Sequence, residues 1–555
     1  MIHQISNNPK PNTDSTLIDR LLETQQQLTA VEKFAQRYVS ATSPSLESNY
    51  RDLIPLQAPE EGEQYSFEID LDACSGCKSC VAACHNLNGL DEGEIWRNVG
   101  LLTGGDEFNP VVQHVTSACH HCLEPACMHG CPVNAYEKDA ETGIVEHLDD
   151  QCIGCKYCMF TCPYDVPSYS PSKGIVRKCN MCVDRLRAGE APARVQACPS
   201  QAIKIRKVKT ESLKQETTAN PTNRIIAGAP DSRLTQPTTR YLTNRPVPEN
   251  LLPTDYHVAK TQHAHWPLVF MLTLTQMAAG IFAVALLLKA MSVDVGTWQW
   301  LNISGLVTLV AGLGLATLHL GRPSKAYRAM ANLKTSWLSR EILACNLFAS
   351  AASSVVAWSL ISMFGKEPWL IDLIGDRSLL LAISAAITGA LVVFSSARLY
   401  IVTGRPLWTS ARTNGLFFLT AAVLGLSAGL LLISVLGQAP QAATNTVVVL
   451  LMIATVIKLA IEAKLLLQHN VIESTPQKLA AKLLLSETRT QTLSRFLLGI
   501  AGGLVLPIVL LIAGSGSAAI AISAVIFGCL LAGELTERYL FFAVSVARRM
   551  PGAPN

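Results

Sequence analysis

The sequence predicts two unlike parts in series: a small N-terminal α+β domain built around cysteine loops, then an all-α polytopic membrane domain of eight transmembrane helices. Two observations predict this. Fifteen of the seventeen cysteines lie between Cys74 and Cys198. After about residue 265 come repeated apolar runs, each about twenty residues long and so able to cross a bilayer. At 555 residues the chain exceeds one ordinary domain. Its formal net charge of +3 is small and argues against nucleic acid as a partner. The expected division is 1–64 as an N-terminal amphipathic helix and lead-in, 65–206 as the cysteine domain, 207–264 as a polar linker or strap, and 265–550 as the membrane domain.

Taken in order, Thr13 to Ser40 reads as an amphipathic helix, with Leu17, Leu21, Leu22, Leu28 and Val31 on one face. Asn49 to Gln64 is an extended lead-in, and Phe67 to Leu71 alternates like a strand. The cysteines then fall into four groups: Cys74, Cys77, Cys80, Cys84; Cys119, Cys122, Cys127, Cys131; Cys152, Cys155, Cys158, Cys162; and Cys179, Cys182, Cys198. Groups one and three read C-x2-C-x2-C-x3-C, the ferredoxin spacing for [4Fe–4S] ligation, in which three close thiolates hold one cluster and the fourth reaches another. A zinc ribbon uses two C-x2-C pairs and has no use for a third cysteine at that step. A disulfide framework needs an oxidising compartment, and no secretory signal precedes this block. Pro132, Pro163 and Pro199 follow the last cysteines of groups two, three and four, as in ferredoxins.

The cysteine part is therefore expected to be a double ferredoxin-like iron–sulfur domain. Ferredoxins exchange the fourth cysteine between paired motifs, so adjacent groups two and three should pair, with groups one and four pairing around them. That assigns one [4Fe–4S] cluster to Cys119, Cys122, Cys127 and Cys162, and a second to Cys152, Cys155, Cys158 and Cys131. A third falls on Cys74, Cys77, Cys80 and Cys198. The fourth site has Cys84, Cys179, Cys182 and one missing ligand. His85, His120, His121 and His129 lie among the cysteines and are expected to hydrogen-bond near clusters rather than ligate metal.

The segment CNMCVDRLRAGEAPARVQACPSQAI resembles the fourth motif of the iron–sulfur subunit of dimethyl sulfoxide reductase-type molybdopterin enzymes. That family places a cysteine where this chain has Arg194. Arginine stays protonated and is a poor ligand. Three thiolates favour a [3Fe–4S] cluster, with an altered [4Fe–4S] cluster or an empty site as alternatives.

Lys207 to His263 is polar and aperiodic, a strap over the cysteine domain or a tether. The eight apolar runs follow near Pro267–Lys289, Trp300–Leu320, Glu341–Phe364, Leu379–Val402, Asn414–Gly437, Thr446–Ala463, Phe496–Gly514 and Ala518–Phe542. The even-numbered connections and the tail carry Arg322, Lys325, Arg328, Lys334, Arg340, Arg405, Arg412, Lys464, Lys478, Lys482, Arg489, Arg495, Arg548 and Arg549. The opposite loops offer little beyond Lys289, Lys366 and Arg377. By the positive-inside rule both termini and the iron–sulfur domain are expected on the cytoplasmic side of the inner (cytoplasmic) membrane.

HWPLVFMLTLTQMAAGIF, HLGRPSKAYRAMANLKTSWLSREIL and LLAGELTERYLFF resemble the eight-helix anchor subunit of the same family, so the chain looks like a fusion of iron–sulfur subunit and anchor. A membrane haem needs two histidines inside the bundle, and only His319 lies within an apolar run, so no haem is expected. Quinol, menaquinol or ubiquinol, would then reduce the clusters directly. Its oxidation needs a proton acceptor. His319 and Glu341 match positions that the resemblance associates with quinol binding, with Ser339 as a candidate cap beside Glu341. Glu534 with Arg538, and Lys458 with Glu462, have i,i+4 spacing and are expected to pair. Cys345 and Cys529 read as core residues.

The resemblance implies a non-catalytic redox subunit that takes electrons from the quinone pool and passes them to a separate molybdopterin catalytic subunit, of dimethyl sulfoxide/oxide or nitrate type. Reverse flow from a dehydrogenase into quinone is the alternative, and a zinc-containing membrane scaffold the alternative of another class.

Overall fold

The computed structural model describes residues 2–4, 18, 32, 36, 39, 53–219, 224–256, 258, 260–364, 377–437, 439–470, 475–513, 516–546 and 550–552. It divides into two compact units, Met1–Val258 with Arg548–Asn555, and Ala259–Ala547. Of the N-terminal amphipathic helix, residues 18, 32, 36 and 39 are described and helical. The rest of that helix, the lead-in before residue 53, and Arg548 and Arg549 lie outside the described residues.

The first unit runs β1 (Ile2–Gln4), β2 (Glu63–Asp70), α1 (Ser79–Asn88), β3 (Asn98–Gly105), β4 (Pro110–Ser117), α2 (Ala126–Gly130), β5 (Tyr136–Lys138), β6 (Val145–His147), α3 (Tyr157–Thr161), β7 (Ser168–Ser170) and β8 (Ile175–Arg177). It continues with α4 (Val183–Arg187), α5 (Ala193–Gln196), β9 (Ile203–Lys209), α6 (Thr210–Ala219), β10 (Arg240–Thr243) and β11 (Leu252–Pro253). The strand expected at Phe67 is β2, longer than its alternation suggested. It lies between β10 and β9 in the order β1-β10-β2-β9, parallel to the first and antiparallel to the second. Phe67, Ile69, Ile203 and Ile205 supply the core of this sheet, each 1% exposed or less.

The polar stretch after residue 207 is more than a tether. Its β10 pairs with β2, setting Tyr241 opposite Ile69. Tyr241 is fully buried and its hydroxyl donates to the Thr116 carbonyl at 3.1 Å. Stretch composition hid this, because several of its buried groups are polar and Thr238 and Tyr241 find their hydroxyl partners only far along the chain, at His120 and Thr116. The Met550 side chain also enters this core. Gly100 lets the returning segment pass: a Cβ there would lie 2.1 Å from the Pro551 carbonyl carbon.

The second unit is helical: α7 (Trp266–Ala290), α8 (Val295–Thr317), α9 (Trp337–Phe364), α10 (Ser378–Ile401), α11 (Ser410–Leu436), α12 (Gln441–Leu466), α13 (Pro476–Leu485), α14 (Arg489–Ile500), α15 (Leu506–Ala513) and α16 (Ser517–Ala543). Among the described residues eight helices are long and apolar enough to cross a membrane, α14 and α15 together forming the seventh. A π turn at Ala501–Val505 joins those two, just before Pro507, whose missing N–H cannot continue the α-helical ladder. α7 and α11 are the most enclosed helices. They cross backbone to backbone at Gly280 and Gly425, where a Cβ on Gly280 would fall 1.8 Å from the Ala421 carbonyl oxygen.

Candidate iron–sulfur and quinol sites

The cysteine loops carry a repeated backbone signature. In group one Gly76 and Lys78 are left-handed, with φ of 73° and 62°; in group three Gly154 and Lys156 match them at 68° and 60°. These turns curl each loop so that its sulfurs face inward and backbone N–H groups meet them. Gly154 donates to the Cys152 sulfur at 3.4 Å, and Ala135 and Ala202 donate to Cys131 and Cys198, each at 3.3 Å. N–H donors of this kind tune sulfur ligands in iron–sulfur proteins.

Cys119, Cys122, Cys127 and Cys162 line one cavity of about 380 Å³, counted out to its mouth, with His121, Lys178, Tyr164 and Thr235 around them. Cys74, Cys77, Cys80 and Cys198 line another of about 300 Å³. Cys131, Cys152, Cys155 and Cys158 lie within electrostatic reach of one another, as do Cys84, Cys179 and Cys182. The structure thus places near one another the cysteines expected to share a site once the fourth of each group is exchanged between paired motifs. None of the seventeen cysteines is joined in a disulfide. Among the described residues no three histidine, cysteine or acidic side chains converge tightly enough to hold a single metal ion. A ring of sulfurs around a void suits a polynuclear cluster better than one zinc ion, which needs its ligands at about 2.3 Å.

Burial pushes the Cys74 thiol up to about 11 against the Gly76 N–H, with Cys80, Cys198 and Cys77 adding to it. Burial likewise lifts Cys162 to about 12. Such thiols ionise only when metal replaces the proton, so cluster assembly and folding of these loops are linked. Cys179 differs. Burial opposes its ionisation too, yet Arg194 and then Lys178 outweigh burial and hold it below its ordinary value.

Arg194 is 1% exposed. Its Nη1 donates to the Cys179 sulfur at 2.9 Å, and its Nη2 lies 3.9 Å from the Cys182 sulfur. The histidines behave as hydrogen-bonding groups. His120 Nδ1 lies 2.9 Å from the Thr239 hydroxyl, and His85 Nε2 is 3.3 Å from the Asp91 carbonyl. His129 is 3.7 Å from Glu124. His121 Nδ1 accepts from the Val145 N–H at 3.1 Å, which leaves the proton on Nε2, 3.9 Å from the Cys179 sulfur.

In the membrane unit His319 is half-buried and lies two residues beyond the end of α8, outside the helix that the apolar run suggested. Glu341 sits in the second turn of α9, buried, and accepts a hydrogen bond from the Ser396 hydroxyl on α10. Ser339 is not the cap. It lies inside α9, its hydroxyl donating to the Ala329 carbonyl at 2.8 Å, while Ser336 stands just before the helix. Arg340 donates to the Leu333 and Lys334 carbonyls at 3.0 and 2.8 Å. These bonds fold the α8–α9 connection back onto the first turns of α9, so His319 and Glu341 flank one folded segment.

Among the described residues the expected i,i+4 ion pairs give way to pairs between helices and, for Arg538, to its chain neighbour Glu537. Glu534 on α16 meets Lys458 on α12 and Arg495 on α14, the latter at 3.1 Å. Arg495 also binds Glu462 at 2.7 Å, and Arg538 contacts Glu537 at 3.5 Å and Gln276 on α7 at 2.9 Å. Arg495, expected among the loop charges, is 2% exposed inside the bundle. Local spacing is the wrong signal, because in a low-dielectric interior each charge takes the nearest opposite charge on any helix.

A family profile described as "DMSO reductase anchor subunit (DmsC)" matches residues 260–544, just over half the chain. The chain belongs to this dimethyl sulfoxide reductase anchor family. A second profile, "4Fe-4S dicluster domain", matches residues 111–208. The cysteine part is similar to the B subunit of the anaerobic dimethyl sulfoxide reductase of Haemophilus influenzae, 35% identical over 184 residues, which are 32% of this chain and 87% of that protein. It is similar to the protein of Escherichia coli described as a probable anaerobic dimethyl sulfoxide reductase subunit, YnfG, 34% identical over 199 residues, 33% of this chain and 97% of the relative. "Formate dehydrogenase-O iron-sulfur subunit" of Escherichia coli is 34% identical over 164 residues, 26% of this chain and 54% of that protein. The chain is a fused iron–sulfur and anchor subunit of the dimethyl sulfoxide reductase family: it binds iron–sulfur clusters, transfers electrons, is integral to the membrane and serves a catalytic partner subunit.

Proposed function

We propose that this chain oxidises membrane quinol, menaquinol or ubiquinol, and relays the electrons one at a time through three [4Fe–4S] clusters to a separate molybdopterin-containing reductase of dimethyl sulfoxide/oxide or nitrate type. The observation that carries the reading is the contrast around Glu341. This buried carboxyl has a hydroxyl partner and, among the described residues, no cation, in a bundle whose other buried carboxylates are ion-paired. Such a group is suited to accept a proton.

Oxidation of one quinol releases two electrons and two protons. Glu341 would accept one proton and the His319 imidazole the other, each passing it to water at the end of the bundle. Ser396 orients the carboxyl. The clusters would supply one-electron carriers, held by Cys119, Cys122, Cys127 and Cys162; by Cys131, Cys152, Cys155 and Cys158; and by Cys74, Cys77, Cys80 and Cys198. Lys138, donating to the Cys122 and Leu123 carbonyls at 3.2 and 3.1 Å, braces the first of these quartets from outside. The iron–sulfur unit is assigned to the cytoplasmic face. Arg322, Lys325, Arg328, Lys334 and Arg340 in the α8–α9 connection support this through the positive-inside rule.

The second reading, electrons entering from a dehydrogenase and leaving to quinone, draws on the likeness to the formate dehydrogenase-O iron–sulfur subunit. One experiment separates the two. Oxidised, anaerobically purified protein is mixed with a menaquinol analogue while the iron–sulfur absorbance is followed, with His319→Ala as control. The proposal expects bleaching in the wild type and little in the variant. Bleaching by dithionite but not by quinol would favour the reverse direction.

A further inference from the structure

The fourth cysteine site differs from the two quartets that line cavities in what stands among its sulfurs. Cys179 and Cys182 meet not a void but the guanidinium of Arg194, at 2.9 and 3.9 Å. Cys84 shares the same electrostatic neighbourhood. Arg194 projects from α5, which packs against α1, the helix that carries Cys84. We propose that this site holds no cluster, and that Arg194 fills the cluster's place as a buried guanidinium hydrogen-bonded to the Cys179 sulfur. The inference rests on the reading of the other three quartets as cluster sites.

Three observations carry it. A cluster iron must bond these sulfurs, and Arg194 nitrogens already stand against Cys179 and Cys182 at 2.9 and 3.9 Å. The guanidinium is also pinned. It lies 4.6 Å from the centroid of the Phe67 ring, and Phe67 and Val195 beside it are each 1% exposed. Swinging out would carry a charge that is never neutralised into apolar core with no acceptor. Finally, the hydrogen bonds of the neighbouring buried cations go to oxygen. Arg97 Nη1 donates to the Thr116 hydroxyl at 2.8 Å, and the Lys178 ammonium donates to the Cys179 and Val145 carbonyls. Arg194 is thus the cation whose hydrogen bonds go to the sulfurs. A [3Fe–4S] cluster on these three thiolates would have to displace this side chain from the sulfurs it bonds.

The plug has an electrical consequence. Cys119, a member of the quartet around the larger cavity, packs in one buried group with Cys84 and Cys179. The guanidinium therefore stands beside that quartet where other arrangements would place a cluster. Electrons must pass the fourth site rather than rest on it.

The test is metal counting with spectroscopy on the full chain, purified anaerobically with its catalytic partner or reconstituted in detergent. The expected content is about twelve iron atoms per chain, from three four-iron clusters, with no low-temperature paramagnetic resonance signal of an oxidised three-iron cluster. Arg194→Cys should raise iron to about sixteen per chain as a fourth cluster assembles. About fifteen irons with a three-iron signal in the wild type, or about sixteen without one, would overturn the proposal. Zinc in place of iron throughout would instead overturn the cluster reading of all four groups. If Arg194→Cys fails to accumulate, the wild-type count and spectrum still decide.

Discussion

In the cysteine unit, buried polar atoms surround space: Cys119, Cys122, Cys127 and Cys162 ring a cavity of about 380 Å³. In the membrane unit they close on one another. Lys458, Arg495 and Arg538 meet Glu534, Glu462 and Glu537 across α12, α14 and α16. The difference teaches how to tell a site that awaits a cofactor from one that is complete. Buried thiols whose ionisation is opposed by burial have an unmet requirement, which metal fulfils. Buried carboxylates and ammonium groups that pair with each other have none. By that test two residues stand out as exceptions within their own unit. Arg194 makes the fourth cysteine site resemble the ion pairs of the membrane unit, and Glu341 is a membrane carboxyl whose partner is the Ser396 hydroxyl.

The comparison breaks most visibly if a cavity-lining cysteine can be lost without consequence. Cys127→Ser should remove about four irons per chain, one whole cluster, and with it quinol-dependent electron delivery. Iron analysis of the purified variant checks this. Glu341→Gln comes next. It keeps the shape and the Ser396 contact but removes the proton acceptor, so quinol-driven cluster reduction should slow about 10²-fold with iron content unchanged. Unchanged kinetics would return Glu341 to a packing role.

Lys458→Met should cost about 3–5 kcal/mol, because it leaves Glu534 short of a buried partner. Adding Glu534→Gln should recover much of that loss. Unfolding of the single and double variants in detergent gives the coupling, and additive losses would mean that the pair is not a unit. The smallest effect is expected at the α7–α11 crossing, where Gly280→Ala should cost about 1–3 kcal/mol through overpacking against the Ala421 carbonyl. The same unfolding measurement checks it.

How much was legible in the sequence follows the same division. Three sulfurs of each cavity could be read because a short loop gathers them, with the fourth following from the exchange between paired motifs, and group one repeats the left-handed turns of group three at the same steps. Eight apolar helices were legible from length and composition, apart from ends such as that of α8, which stops before His319. Partners far apart in the chain were not. Lys458 and Glu534 are separated by 76 positions, and nothing local distinguishes that pair from Lys458 with Glu462. Strand β10 was hidden for the same reason, since its partner β2 lies more than a hundred residues earlier. At position 194 the sequence could show that a ligand was missing. It could not show that the arginine would turn inward onto the sulfurs, which depends on α5 packing against α1.

The central claim, that electrons run from quinol through this chain toward a reductase, is tested most directly by the midpoint potentials of its clusters in the intact membrane protein. About 59 mV changes a one-electron equilibrium tenfold, so the comparison with the quinone couple fixes the favoured direction. A potentiometric titration followed by paramagnetic resonance should find at least one cluster at or above the potential of the cell's quinone. If every cluster lay several such steps below it, electrons would fall from this chain into quinone, and the quinol-oxidising account would be contradicted.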